Sequence, residues 1–305
     1  MKKLQRVVLS IFFTFVLFGC IGKPKTERAV LIKRPERMFW EIKKGDASVF
    51  VLGTIHVADN RFFPLDDAIL AAFDSADVLV SEVGALDMNA MQTKTQEKIM
   101  NSMNSDESKN LSKLLSDEEI SVVVSELGDS AKQFFMFDPW VLDTALTGQL
   151  LAKTQLNADA GIDLYLMQRA GSRPIEALES IDTQLNLLAV GTFDERLEML
   201  KGTISQLKDT EKVASEFREL AARYLADDRK GLEELIYESE VPEGVSEKTY
   251  TAYINTVYKE RNIEWAKKIE QYLDAGGKTF VFAGAGHFIG SDSVFTQMRK
   301  NGSMK

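Results

Sequence analysis

Short apolar runs, separated by long stretches of helical spacing, divide the chain after residue 38 into a few strands and many helices. Phe39 to Lys43 and Ser48 to Ile55 flank Gly45-Asp46 and read as a hairpin. A helix-like stretch, Leu65 to Phe73, leads into a strand over Asp77 to Glu82, and Arg173 to Leu178 and Thr279 to Ala283 complete the strand candidates. The rest reads as helix. Ser116 with Glu119 and Thr192 with Glu195 fit capping boxes, and Asp138-Pro139 fits an N-cap followed by proline at the first helical position. The Ser/Asn-rich stretch from Asn101 to Asn110 reads as a loop.

These elements predict an α/β fold with a small mixed, largely parallel central sheet, joined by right-handed crossovers. Residues 38–305 form one domain with helical insertions over roughly Leu86 to Asn157 and Gly191 to Asp274. A separate helical domain is the alternative. There is no internal repeat and no long linker after residue 38.

The amino terminus has a different pattern. Lys2, Lys3 and Arg6 precede an uncharged run, Val7 to Phe18, which is too short for a comfortable membrane span and has the layout of a secretory signal. The run ends in Leu17-Phe18-Gly19-Cys20, which resembles a bacterial lipoprotein box. That resemblance implies a signal peptide over 1–19, an acylated Cys20 carrying several chains, palmitate among them, and a tether over 20–37. Ile21, in place of Asp after the Cys, points to an outer-membrane anchor facing the periplasm. An ordinary cleaved signal followed by a spare thiol is the alternative.

Composition narrows the chemistry. Cys20 is the only cysteine in 305 residues, so there is no intrachain disulfide and no cysteine metal cluster. The net charge of -9 becomes -12 once cleavage removes three basic and no acidic side chains, which excludes a nucleic-acid surface. A metal site would have to rest on His, Asp and Glu.

The two histidines share one setting. Val49-Phe50-Val51-Leu52 runs into Gly53-Thr54-Ile55-His56, and Phe280-Val281-Phe282-Ala283 runs into Gly284-Ala285-Gly286-His287. With 19 glycines in the chain, chance supplies Gly three residues before both histidines at roughly 0.004. Both rings are therefore expected at the carboxyl edge of the sheet, where open α/β sheets bind ligands. Glu82 and Glu179 end two further strands on what would be the same edge. Two imidazoles and two carboxylates would suit Zn, Mn or Co; buried histidines with satisfied nitrogens and capping glutamates are the plainer alternative. Arg261 falls within the apolar stripe Ile254, Val257, Tyr258, Trp265, Ile269 and Tyr272, so it needs either an anionic ligand or a buried acid. Asp163 reads as a first-turn helix acid.

Taken together, Leu52-Gly53-Thr54-Ile55-His56, Val80-Ser81-Glu82, Gly161-Ile162-Asp163, Leu178-Glu179-Ser180, Gln184, Arg261-Asn262 and Gly284-Ala285-Gly286-His287-Phe288 resemble the TraB/PrgY/GumN family. That family is related to the Tiki metalloproteases and, further off, to the erythromycin-esterase and ChaN-like fold. The resemblance implies a metal-dependent, peptidase-like hydrolase acting on a peptide or protein substrate. His56 and His287 would be metal ligands, Glu82 a ligand or general base, and Glu179 or Arg261 would order water or stabilise the oxyanion. Two alternatives are a non-catalytic protein that sequesters a peptide or a cofactor such as haem, and a metal-free hydrolase using His56 or His287 as general base. No Gly-x-Ser-x-Gly elbow is present.

Overall fold

The computed structural model describes residues 27–305 apart from 86–87, 155, 158–159 and 239. Cys20 and the signal-like run lie outside the described residues. Six strands form one sheet: β1 (Val30–Lys33), β2 (Phe39–Lys44), β3 (Ala47–Thr54), β4 (Val78–Ser81), β5 (Ile175–Ala177) and β6 (Lys278–Gly284). Their order across the sheet is β1-β2-β3-β6-β4-β5. The first two strands pair antiparallel, and β3, β6, β4 and β5 run parallel to one another. The α/β class and the largely parallel sheet agree with the sequence pattern.

Strands β3 and β6 are apolar on both faces because each face is covered. On one side Phe73, from the helix Asp67–Asp74, packs edge-on against Phe280, with ring centroids 5.3 Å apart. Trp265 and Ile269, from the helix Arg261–Ala275, join the same buried cluster as Val49, Val51, Phe280 and Phe282. A second cluster forms within the insertions, where Leu142, Leu146 and Leu150 meet Leu200, Ile204 and Leu207 from the helix Phe193–Leu207. Later parts of the second insertion, Ala221, Tyr224 and Leu232, return to the sheet core. Both capping boxes and the Asp138 N-cap are present. Among the described residues no helix is long and apolar enough to cross a membrane.

Three boundaries differ from the sequence reading. Residues from Ala29 onward, placed in the tether, belong to the fold. Val30–Lys33 pairs with β2, and buried Ala29 exchanges backbone hydrogen bonds with the C-terminus, receiving one from Lys305 N–H at 2.9 Å and donating to Ser303 O at 2.8 Å. An edge strand buries little and carries weak apolar patterning, which explains the misreading. Within the expected loop after Asn101, Glu107–Lys109 forms a single 3₁₀ turn. The long helix near the C-terminus also changes winding, with a π-helical segment Asn255–Glu260 between Glu247–Ile254 and Arg261–Ala275.

A chain starting at Met38 should therefore melt on the order of 5 °C below one starting at Glu27, about 2 kcal/mol. Equal melting curves in a thermal scan would show that β1 adds nothing to the fold.

Candidate functional site

The parallel strands β3, β6, β4 and β5 deliver His56, His287, Glu82 and Glu179 to one carboxyl edge. Backbone pairing continues past the strands: Leu178 N–H donates to Ser81 O and Glu179 N–H to Glu82 O, at 2.9 and 2.8 Å. Ile162 N–H donates to Ile55 O at 3.0 Å, bringing Asp163 beside His56.

The two Gly-x-x-His glycines meet different surroundings. A Cβ on Gly53 would lie 2.9 Å from the Cα of Ala285, because the two histidine loops cross closely. A Cβ on Gly284 would stand 3.3 Å from Glu82 Oε1 and 3.5 Å from His56 Nε2. Gly284 thus leaves an open floor between two reactive atoms, and its N–H donates to Glu82 Oε1 at 2.8 Å.

Arg261 occupies the centre. Its Nε and Nη2 donate to the two carboxylate oxygens of Glu179 at 2.9 and 2.7 Å. Nη2 also reaches Glu82 Oε2 at 2.8 Å and Gln184 Oε1 at 3.2 Å, while Nη1 serves Val257 O and His287 Nε2, both at 3.0 Å. These contacts engage all five guanidinium donors, leaving none for an oxyanion. The buried-acid reading of Arg261 is the one the geometry realises. Trp265 stacks under the guanidinium at 4.7 Å and its Nε1–H donates to Glu179 Oε2 at 3.3 Å.

The two histidines, alike in sequence, differ in state. His287 is 4 % exposed, its Nδ1–H donating to Asn262 Oδ1 at 2.6 Å and its Nε2 accepting from Arg261. Asn262 Nδ2 donates to Asp292 O at 2.9 Å, which fixes the amide and with it the histidine tautomer. Burial pulls His287 down to about 3, so the ring is neutral. His56 sits at the rim with 60 % of its side chain exposed; Nδ1 meets Asp163 Oδ1 at 3.1 Å and Nε2 faces Glu82 Oε1 at 3.7 Å. The Asp163 hydrogen bond is the main cause that pushes His56 up to about 9, so it is an imidazolium at neutral pH. For Glu82, burial opposes ionisation, yet the cationic surroundings and the Gly284 N–H hold its carboxyl below the usual range. The Arg261 guanidinium and the His56 imidazolium thus face three carboxyl groups, those of Glu82, Glu179 and Asp163.

A divalent ion shared by both histidines does not fit this arrangement. Only His56 Nε2 and Glu82 Oε1 face one another, His287 Nε2 is taken by Arg261, and the guanidinium already neutralises Glu82 and Glu179. Among the described residues, no group of three or more His, Cys, Asp or Glu is placed to hold a metal ion.

The structure also adds residues that the sequence left undistinguished. Tyr224 OH donates to Gly53 O at 2.6 Å and Tyr237 OH to Gly286 O at 2.5 Å, so each histidine loop is pinned by a tyrosine from the second insertion. The ring of Tyr258 lies 5.1 Å from that of His287. A helical apolar stripe gives no sign of which tyrosine carries a hydrogen-bonding duty.

Residues 38–304 match the sequence profile of the TraB/PrgY/gumN family. The chain is also 35% identical over 274 residues to an uncharacterized protein of Treponema pallidum (strain Nichols), an alignment covering 88% of this chain and 82% of the relative. No solved structure matches the chain significantly.

Lysine at position 261 keeps the charge but cannot serve six acceptor atoms in fork geometry. Arg261→Lys should cost about 3 kcal/mol in urea unfolding; a loss below about 0.5 kcal/mol would show that the guanidinium does not organise the site.

Proposed function

Because the chain belongs to the TraB/PrgY/gumN family, we propose that it is a hydrolase of the cell envelope that cleaves an acyl bond in a peptide or protein substrate. One observation carries this reading: His56 Nε2 and Glu82 Oε1 face each other at 3.7 Å across the open floor of Gly284, with Asp163 orienting the imidazole. A single water oxygen can lie within hydrogen-bonding distance of both, about 2.8 Å.

In this scheme Glu82, ionised at neutral pH, accepts a proton from the water as its oxygen attacks the scissile carbonyl carbon. The His56 imidazolium then gives its Nε2 proton to the leaving nitrogen, and the C–N bond breaks to release carboxyl and amine products. Glu82 passes its proton back to His56 as the site resets. Asp163 keeps the ring in position and stabilises its charged form. Arg261, Glu179 and His287 touch neither product and act by holding Glu82.

Purified protein incubated with a mixed peptide pool should release new amino termini. His56→Asn and Glu82→Gln should each lower the rate about 100-fold or more. His56→Asn is the cleaner test, since Glu82 also holds Arg261 and Gly284. The active form needs ionised Glu82 and protonated His56, so activity should fall as pH rises through about 9, and Asp163→Asn should move that limb down toward 6.5. Cleavage unchanged in His56→Asn would sink the scheme. Activity that appears only with added Mn, Co or Zn and vanishes in His287→Ala would replace it with a two-histidine metal centre.

Placement at the envelope rests on the lipoprotein-like Leu17-Phe18-Gly19-Cys20. Two or more acyl chains on Cys20 would anchor the domain stably. A clickable palmitate analogue should label the wild type in bacteria and spare Cys20→Ser; an unlabelled wild type would refute the anchor.

A further inference from the structure

An open cavity of about 440 Å³ is lined by Phe63, Pro64, Ala160, Gly161, Tyr165 and Gln168, from the segments that follow His56 and flank Asp163 in the chain. Its lining residue Gly161 stands two residues before Asp163, and Ile162 between them donates its N–H to the O of Ile55, the neighbour of His56. The larger cavity, about 710 Å³, lies between insertion helices and includes none of the site residues.

We propose that the smaller cavity is the side-chain subsite of the reaction site and takes an aromatic side chain of the residue adjoining the scissile bond. The inference deepens the hydrolase reading and rests on it. The lining carries no charged residue, so a charged side chain entering it would lose hydration without a partner. Its walls are aromatic: the rings of Phe63 and Tyr165 lie 5.1 Å apart, tilted by 49°, a geometry that a third ring can join edge to face. Gly161 has no side chain to narrow the end nearest His56. The helix that carries Tyr165 is tied down one turn later, where Arg169 grips Asp74 with bonds of 3.0 and 2.6 Å. The cavity has room for one large ring, and burial of that ring strengthens substrate binding by about tenfold or more relative to alanine.

The test uses the full chain and two peptides that differ only in Phe or Ala beside the scissile bond. Wild type should show a kcat/KM ratio, Phe over Ala, of about ten or more. Tyr165→Ala, which removes a wall, and Ala160→Phe, which fills the space, should each bring the ratio near one. A wild-type ratio near one overturns the subsite and leaves the hydrolase reading standing. If no peptide is cleaved, the hydrolase reading fails and the subsite is judged by NMR. N-acetyl-phenylalanine amide should shift the His56 ring signals, N-acetyl-alanine amide should do so at least about tenfold more weakly, and both variants should abolish the difference. No preference for the aromatic amide overturns the proposal.

Discussion

The guanidinium of Arg261 is the constraint on which the site depends. Three of the four strand-end groups bond to it directly: Glu82 after β4, Glu179 after β5 and His287 after β6. Without a cation between them, two carboxylates this deeply buried would repel each other and resist ionisation. The π-helical segment Asn255–Glu260 leads directly into Arg261, and its Val257 O accepts from Nη1. The same helix then supplies Asn262 to His287 and Trp265 to Glu179. One turn of helix thus ties three strand ends together.

That arrangement separates two histidines carrying the same motif. His287 accepts a hydrogen bond from the cation and is held neutral; His56 makes no bond to it, lies between two carboxylates, and is held protonated at neutral pH. Glu82 and His56 are pushed in opposite directions, and the roles proposed for them rest on that separation. His287 serves instead as a wedge that keeps Arg261 oriented.

Much of this was legible in the sequence. Apolar runs such as Phe280 to Ala283 must lie in covered parallel strands, so the residues just beyond them must share an edge, and His56, Glu82, Glu179 and His287 do. Arg261 in an apolar stripe called for either an anionic ligand or a buried acid, and Glu82 and Glu179 are what it meets. Other features left no comparable trace. Strand β1 is short and edge-exposed, Tyr224 and Tyr237 look like ordinary core aromatics, and the Asp163 contact depends on a backbone bond from Ile162 to Ile55 across more than a hundred residues. Periodicity reports which face is buried and does not reveal what a buried polar atom touches. For that reason the sequence treated the two histidines as equals.

The same physics bears on metal chemistry at this edge. An ion at His56 Nε2 would have to displace a proton held up to about 9, so its binding would release that proton and strengthen with pH until the ring is neutral. It would also place a second cation close to Arg261, whose charge already satisfies Glu82. A strong metal centre therefore requires Arg261 to withdraw and free both Glu82 and His287 Nε2. The helix that carries Arg261 is buried through Trp265, Ile269 and Leu273 in the sheet core, and its side chain is tied at all five donors, so withdrawal would break the network that shapes the site. As the fold stands, the guanidinium occupies the bonds to Glu82 and His287 that a shared ion would need.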